Sequence, residues 1–296
     1  MNLCLNIFQI ISILICVCFL VVCLISFIEN RRLVVTSYEL WSTKLPKAFD
    51  GFHIIQLSDL HNACFGENNI NLIERISKLE PDVIFVTGDM IVGKPGKDVR
   101  FAADTMNQLV SIAPVYMSLG NHELRTSIYT ESYGNMWKDF LERLDSRITI
   151  LRDKKIYLDR NGEKIALYGL DLTPKFYKRF KHTPMKAEYL NDLFGKCEQE
   201  FYHIFLAHNP DYFKQYAGWG ADLTFSGHVH GGMIQIPFWG GVLSPMVHFF
   251  PKYDKGVFEY SNKYMILSGG LGNHTFKFRV NNLPEIVSVT LNPEIN

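Results

Sequence analysis

Leu223-Thr224-Phe225-Ser226-Gly227-His228-Val229-His230-Gly231-Gly232 is the stretch from which the rest of the chain can be read. Residues 223–226 suit a strand covered on both faces; a glycine then turns the chain, and two histidines follow at alternate positions. The same arrangement recurs upstream. Residues 53–57 precede Ser58-Asp59-Leu60-His61, and residues 83–87 precede Gly88-Asp89. Residues 115–119 precede Gly120-Asn121-His122-Glu123, and residues 204–207 precede His208-Asn209-Pro210. Each apolar run thus delivers Asp, Asn or His at its C-terminal end, the edge where ligands gather in layered α/β folds. Residues 165–168 and 264–267 read as two further strands. Amphipathic stripes predict helices over 68–79, where Ile70, Ile73, Ile76 and Leu79 share a face, and over 98–112 and 133–144. The pattern predicts a mixed α/β sandwich with sheets inside and helices outside.

Asp59, His61, Asp89, Asn121, His208, His228 and His230 supply carboxylate, amide and imidazole groups. Mixed N/O donors suit borderline first-row divalent ions such as Mn, Fe or Zn. Seven ligands exceed the needs of one tetrahedral ion but fit two ions sharing a carboxylate, the usual clamp for in-line displacement at phosphorus. Taken singly each motif is weak: Gly-Asp is an ordinary turn, and a lone His beside a buried strand is more often a hydrogen-bonded core residue. Their succession at strand ends is what carries the reading.

Composition sets limits. The chain has 296 residues, 30 Lys+Arg and 30 Asp+Glu, so a formal net charge of zero, which argues against bulk electrostatic attraction to nucleic acid. Residues 3–28 carry no charge and span about 39 Å as a helix, enough to cross a hydrocarbon core of roughly 30 Å. The flanks lack a basic n-region and an Ala-x-Ala cleavage site, so the segment is expected to be an uncleaved, single-pass anchor in the cell membrane. Arg31 and Arg32 follow it, which places the remainder, residues 33–296, on the cytoplasmic side. That remainder has a formal charge of −1 and reads as one catalytic domain. Only Cys64 and Cys197 lie outside the anchor, too few for a disulfide framework.

With these motifs in order from Ser58 to Gly232, the chain resembles the calcineurin-like metallophosphoesterases, whose pattern is Asp-x-His, Gly-Asp, Gly-Asn-His-Asp/Glu, a lone His, then Gly-His-x-His. The resemblance implies a four-layer α/β/β/α metallophosphoesterase sandwich and two divalent metal ions, Mn foremost. It implies one ion held by Asp59, His61, Asp89 and His230, and the other by Asp89, Asn121, His208 and His228. His122 would lie beside the scissile group, and Glu123, where many members have Asp, would orient it. Gly-His-x-His-Gly-Gly with a following Ile-Pro loop, Tyr253 and Gly256, and the tail Arg279-x-Asn281…Pro284-Glu285 are similar to a bacterial subgroup with one N-terminal membrane segment. Met233 stands where many of its members have Gln. That subgroup includes phosphodiesterases and enzymes similar to the UDP-2,3-diacylglucosamine pyrophosphatase of lipid A synthesis.

The resemblance implies attack at phosphorus by a hydroxide bridging the metals, with a protonated His122 serving the leaving oxygen. Two segments bear on the substrate. Residues 237–253 (Pro237, Phe238, Trp239 … Phe249, Phe250) are aromatic, and form either a core-packing loop, the default, or a lipid-facing wall. Residues 175–186 interleave basic and aromatic groups, and either snorkel into solvent or hold an anionic headgroup. Together with the anchor they suggest a phosphorylated, lipid-linked small molecule as partner. His53, His182, His203, His248 and His274 read as structural or surface residues, with His274 a further candidate for the cleft lining. A non-enzymatic membrane-tethered scaffold retaining the fold is the alternative, disfavoured because all seven ligands are present. A mononuclear zinc hydrolase is disfavoured by the absence of His-Glu-x-x-His.

Overall fold

The computed structural model describes residues 2–179, 182–273 and 278–294. Helix α1 (Asn2–Glu29) is apolar on every side, and most of its side chains from Ile7 onward lie exposed. Then come β1 (Val34–Ser42), β2 (Phe52–Leu57), α2 (Ile70–Ser77), β3 (Val83–Val86), α3 (Arg100–Leu109), β4 (Val115–Met117), α4 (Asn121–Ile128), α5 (Thr130–Tyr133), α6 (Met136–Arg143) and β5 (Ile148–Ile150). The second half contains β6 (Lys154–Arg160), β7 (Glu163–Leu170), α7 (Glu188–Phe194), β8 (His203–Ala207), α8 (Phe213–Trp219), β9 (Leu223–Ser226), the short pair β10 (Gln235–Ile236) and β11 (Gly240–Gly241), β12 (Gly256–Tyr260), β13 (Lys263–Leu267) and β14 (Glu285–Pro293).

Two mixed six-stranded sheets result, ordered β1-β14-β2-β3-β4-β5 and β12-β13-β9-β8-β7-β6. Strands β2 to β5 run parallel in the first; β7, β8, β9 and β13 run parallel in the second. Parallel runs demand cover on both faces, which explains their unbroken apolar sequences. Ile54, Phe85, Leu167, Ile204 and Phe225 fill the space between the sheets. The outer face of the first sheet packs on the buried stripes of α2, α3 and α6, including Ile76, Met106 and Phe140. The second sheet is covered by Leu190 of α7 and Tyr216 of α8. This is the expected α/β/β/α metallophosphoesterase sandwich, preceded by one long apolar helix.

Strands expected over 53–57, 83–87, 115–119, 165–168, 204–207, 223–226 and 264–267 are all present, some a residue or two different in extent. Gln56 ties the two sheets beneath the site, donating to the Ser226 carbonyl at 2.8 Å and to Thr87 Oγ1 at 3.0 Å. Such a buried side-chain bond across sheets fixes their register as well as adding stability.

Candidate metal centre

The polar residues that follow β2, β3, β4, β8 and β9 meet at one edge of the sandwich. Sharp turns bring them there. Asp59, His61, Asp89, His228 and His230 all adopt left-handed backbone, with φ between 44° and 75°. Each costs free energy for a side chain with a Cβ, and such strain persists where the surroundings over-determine it. Gly88 and Gly120 let the second and third turns cross. A Cβ on Gly88 would lie 2.1 Å from the Gly120 nitrogen, and one on Gly120 2.1 Å from Asp89 Oδ1. Only hydrogen fits at either position.

Asp59, His61, Asp89, His122, His208, His228 and His230 are all buried. Ligand atoms of Asp59, His61 and His230 lie within 4.8 Å of one another, as do those of Asp89, His208 and His228. A third group of the same size joins His61, Asp89 and His122, so Asp89 stands between two clusters. The second ring nitrogens are held by main-chain carbonyls. His61 Nδ1 lies 3.2 Å from the Ile91 oxygen, His208 Nδ1 2.6 Å from that of Thr87, and His230 Nδ1 2.9 Å from that of Gly272. Those bonds place a proton on each Nδ1, so that Nε2 is the nitrogen that ligates once it is unprotonated.

Electrostatics argue for cations. Burial, reinforced by the Asp89 charge, pushes the Asp59 carboxyl up. Burial would raise Asp89 too, yet His122 and His208 outweigh it and hold it well below the carboxylate range. Burial would lower the His208 imidazole, but Asp89 at 3.3 Å and Asp59 at 3.9 Å override it, to about 9. Two carboxylates this close cannot both ionise comfortably without positive charge between them. The buried Asn121 Oδ1 has no hydrogen-bond partner, an open lone pair beside the Asp89 cluster. Donor chemistry, orphaned oxygen and shared carboxylate all fit two divalent ions.

Glu123 requires a correction. It does not orient the His122 ring: its Oε1 accepts from the Met90 and Ile91 amides at 2.7 and 3.1 Å, and its Oε2 from those of Asp89 and Gly120 at 2.8 and 3.1 Å. The carboxylate therefore clamps the two crossing turns. Burial and the Asp89 charge push it up to about 7, against the pull of the backbone donors. The His122 ring is set instead by the Gly93 amide, which donates to its Nδ1 at 2.8 Å. With Nδ1 accepting, Nε2 is the ring nitrogen assigned a proton and the one that faces the cleft.

The cavity above the cluster holds about 170 Å³ and is lined by Asp89, Asn121, His122, Arg125, Tyr177 and Arg179, among others. Arg125 escaped the sequence reading. Its position four residues after Asn121 on α4 was the available signal, since side chains at that spacing share a helix face. Its Nε donates to the Asn121 carbonyl at 3.1 Å. Tyr177 and Arg179 come from the basic-aromatic segment, so that segment reaches the cleft. Tyr177 packs edge-on against His228 at 5.3 Å between ring centroids. Of the remaining histidines, His53 bonds Ser288 Oγ at 2.8 Å, His203 is buried at the start of β8, and His182 stacks on Tyr212. His274 lies outside the described residues.

The sequence pattern of the calcineurin-like phosphoesterases matches residues 52–232, the span from β2 through the Gly-His-Val-His turn. This chain belongs to that family. Metallophosphoesterase YkuE of Bacillus subtilis, described as uncharacterized, is 26% identical over 90% of this chain and 87% of its own. Phosphodiesterase YaeI of Escherichia coli is 25% identical, covering 81% of this chain and 82% of its own. UDP-2,3-diacylglucosamine pyrophosphatase LpxG of Chlamydia trachomatis is 25% identical, covering 77% and 81%. The protein is a metal-dependent phosphoesterase with the residues of a binuclear site intact.

The C-terminal tail supports the site from behind. Arg279 is fully buried and donates to the carbonyls of Asn282, Gly270 and Gly272 at 3.0–3.2 Å. Gly272 carries the oxygen bonded to His230 Nδ1, and its own amide donates to the Asp59 carbonyl at 2.7 Å. Asn282 donates to the His230 carbonyl at 2.7 Å. The C-terminal segment thus braces two metal-ligand candidates from behind.

Proposed function

We propose that this chain is a membrane-anchored phosphohydrolase that cleaves a phosphodiester or pyrophosphate bond in a lipid-linked substrate. The observation that carries this reading is the buried pair of His/Asp clusters, linked through the His61–Asp89–His122 group, beneath a cleft flanked by Arg125 and Arg179. Asp59, His61, Asp89 and His230 would hold one ion, and Asp89, Asn121, His208 and His228 the other. Mn is the expected metal, with Fe or Zn compatible. When bound, the ions supply an activated water and neutralise charge on the phosphoryl oxygens.

The protein's own residues do the rest. Arg125, fixed by its bond to the Asn121 carbonyl, presents guanidinium donors to a non-bridging phosphate oxygen. His122, locked by the Gly93 amide, donates from Nε2 toward the departing oxygen. Tyr177 closes one wall; burial keeps its hydroxyl protonated and so able to donate. Glu123 keeps the turns crossed.

The anchor reading for residues 3–28 is supported by how α1 ends. Ser26 is buried and accepts from the Arg279 amide at 2.9 Å, and Glu29 Oε2 accepts from that of Asn282 at 3.3 Å. A helix whose last turn is built into the domain of residues 33–296 is suited to being retained. Arg31 and Arg32 favour a cytoplasmic domain, which protease protection in sealed vesicles tests. Similarity to a phosphodiesterase and to a lipid-linked nucleotide pyrophosphatase supports the substrate class. The test is turnover of a chromogenic phosphodiester and of UDP-2,3-diacylglucosamine by full-length protein reconstituted with Mn²⁺. His122→Ala is expected to lose about 10²- to 10³-fold in kcat while retaining both metal equivalents. Unchanged kcat would remove His122 from the mechanism; failure to hold two equivalents in the wild type would favour the scaffold.

A further inference from the structure

The aromatic segment after the Gly-His-Val-His turn packs into a core only at its end, where Tyr253 joins Phe213 and Met265; its other aromatics do not follow the default reading. Phe238 is fully exposed, Trp239 is 74% exposed, Phe249 70% and Phe250 53%. Burying such groups is the largest apolar gain a chain has available, so leaving four of them together in water is costly. The backbone holds them there. Phe238, Val247 and Phe250 all sit in left-handed conformation, with φ of 70°, 64° and 48°. For a β-branched or bulky residue that is a genuine outlier, maintained only where the surroundings impose it.

Their place in the fold says what covers them. The last turn of α1 is bonded to Arg279 and Asn282. Between those two, Val280 pairs with Ile234 and accepts from the Gln235 amide at 2.9 Å. Gln235 opens the β10–β11 hairpin, whose tip carries Phe238 and Trp239, so the tip lies within about 14 Å of chain from the residue bonded to Val280. Phe250 donates its amide to Val242 just beyond β11, and Leu243 pairs with Phe249, so the second aromatic pair is layered on the same hairpin. On the other side, Pro245 and Met246 of this loop line the cleft with His228 and His230. The exposed aromatics therefore bridge the exit of the apolar helix and the mouth of the active site. Around Phe249 and Phe250, Lys214, Lys252, His182 and His248 share a recess with one acidic residue, Asp211.

We propose that the hairpin tip and the 247–250 loop insert into the leaflet that α1 crosses, with the lipid bilayer as their occupant. The cleft is thereby seated against the membrane, and a phosphorylated headgroup enters it from the lipid side. Aromatic side chains with a cationic rim are what an anionic membrane interface accommodates. This inference rests on the anchor reading above.

The experiment reconstitutes the full chain into vesicles of phosphatidylcholine and phosphatidylglycerol, with and without brominated acyl chains. Flotation reports anchoring, and bromine quenching of tryptophan reports depth. Trp239 is one of four tryptophans, and Trp41 is another exposed one, at 53%. Brominated lipid is expected to quench a component of the emission that Trp239→Phe lacks and Trp41→Phe retains. Equal quenching in wild type and Trp239→Phe, with the protein still floating, overturns the insertion while leaving the anchor reading intact. Loss of the component in Trp41→Phe instead would put the β1 edge, not the loop, at the membrane and overturn it too. Failure of the wild type to float overturns both readings.

Discussion

The metal centre and the aromatic loop hold their side chains by the same device and aim them in opposite directions. In the centre, left-handed turns at Asp59, His61, Asp89, His228 and His230 drive polar groups into the interior. In the loop, left-handed turns at Phe238, Val247 and Phe250 hold apolar groups in solvent. Each region thus combines backbone strain with a side-chain placement that solvation alone would reverse. A chain selected only for stability would keep neither. The lesson is that strain coupled to a wrong-way side chain marks function, whether the group is aimed at an ion or at a lipid.

The largest effect should come from removing Asp89, the carboxylate proposed to serve both ions. Asp89→Ala is expected to lower kcat by at least about 10³-fold and to lose at least one metal equivalent. Metal analysis beside the kinetics checks it. Full activity would mean the two clusters do not act together, and the centre would then be no more specialised than the loop.

Next is the clamp beneath the centre. Glu123→Ala leaves four buried amides without their acceptor and is expected to cost about 3 kcal/mol or more of stability. Glu123→Gln keeps the shape but turns an NH₂ toward amide donors, so it should recover only part of that loss. Thermal melts of metal-loaded and metal-free protein separate this structural role from ligation. A Glu123→Gln variant as stable as wild type would show that the amides find other partners.

How much of this was legible depended on where each residue lies relative to a strand. Asp59, Asp89 and His228 follow short buried runs, and a run that stops at a polar residue marks both the strand and its functional edge. Arg125 and Tyr177 lie on a helix and in a loop, where nothing local distinguishes a cleft from a surface. The role of Glu123 was misassigned because adjacency to His122 in sequence suggested contact. In a helix, neighbouring residues point about 100° apart, and Glu123 turns back to the crossing turns. Strands β1 and β14 were missed for another reason. Their pairing, Val34 with Glu285 through Ser42 with Pro293, joins opposite ends of the domain, and Thr36, Ser37 and Glu39 interrupt the apolar pattern of an edge strand. The exposure of Phe238 and Trp239 was invisible because aromatic composition is the same for a core loop and a membrane-facing one.

Proton competition gives a gentler test of the centre. In the metal-free protein Asp89 and Asp59 raise His208 to about 9, so at neutral pH its imidazole is protonated and must release that proton to ligate. Apparent Mn²⁺ affinity of the Asp89–His208–His228 cluster should therefore rise as pH rises, by up to about tenfold per unit, and level off above pH 9. Titration followed by the resonance of free Mn²⁺ at pH 7 and pH 8 measures the slope. A flat profile would show that His208 is already neutral, and that the buried aspartates lack the free charge assigned to them.

The smallest effect tests the loop's half of the comparison. Val247 is β-branched, 39% exposed and held at φ 64°, a conformation that asparagine tolerates far better. If the strain is retained for presentation and not for packing, Val247→Asn should stabilise the detergent-solubilised protein by about 0.5–1 kcal/mol. Asparagine is preferred to glycine here, because glycine would also loosen the unfolded chain and blur the result. The equivalent change at His61 would relieve similar strain while deleting a ligand, so its sign would depend on metal. At Val247 the sign should be the same with and without Mn²⁺. A destabilising result would mean that neighbouring contacts, among them the Val247 amide bond to the Ser244 carbonyl at 2.8 Å, make the left-handed turn the lowest-energy shape of that loop. The resemblance between the two regions would then be one of geometry alone.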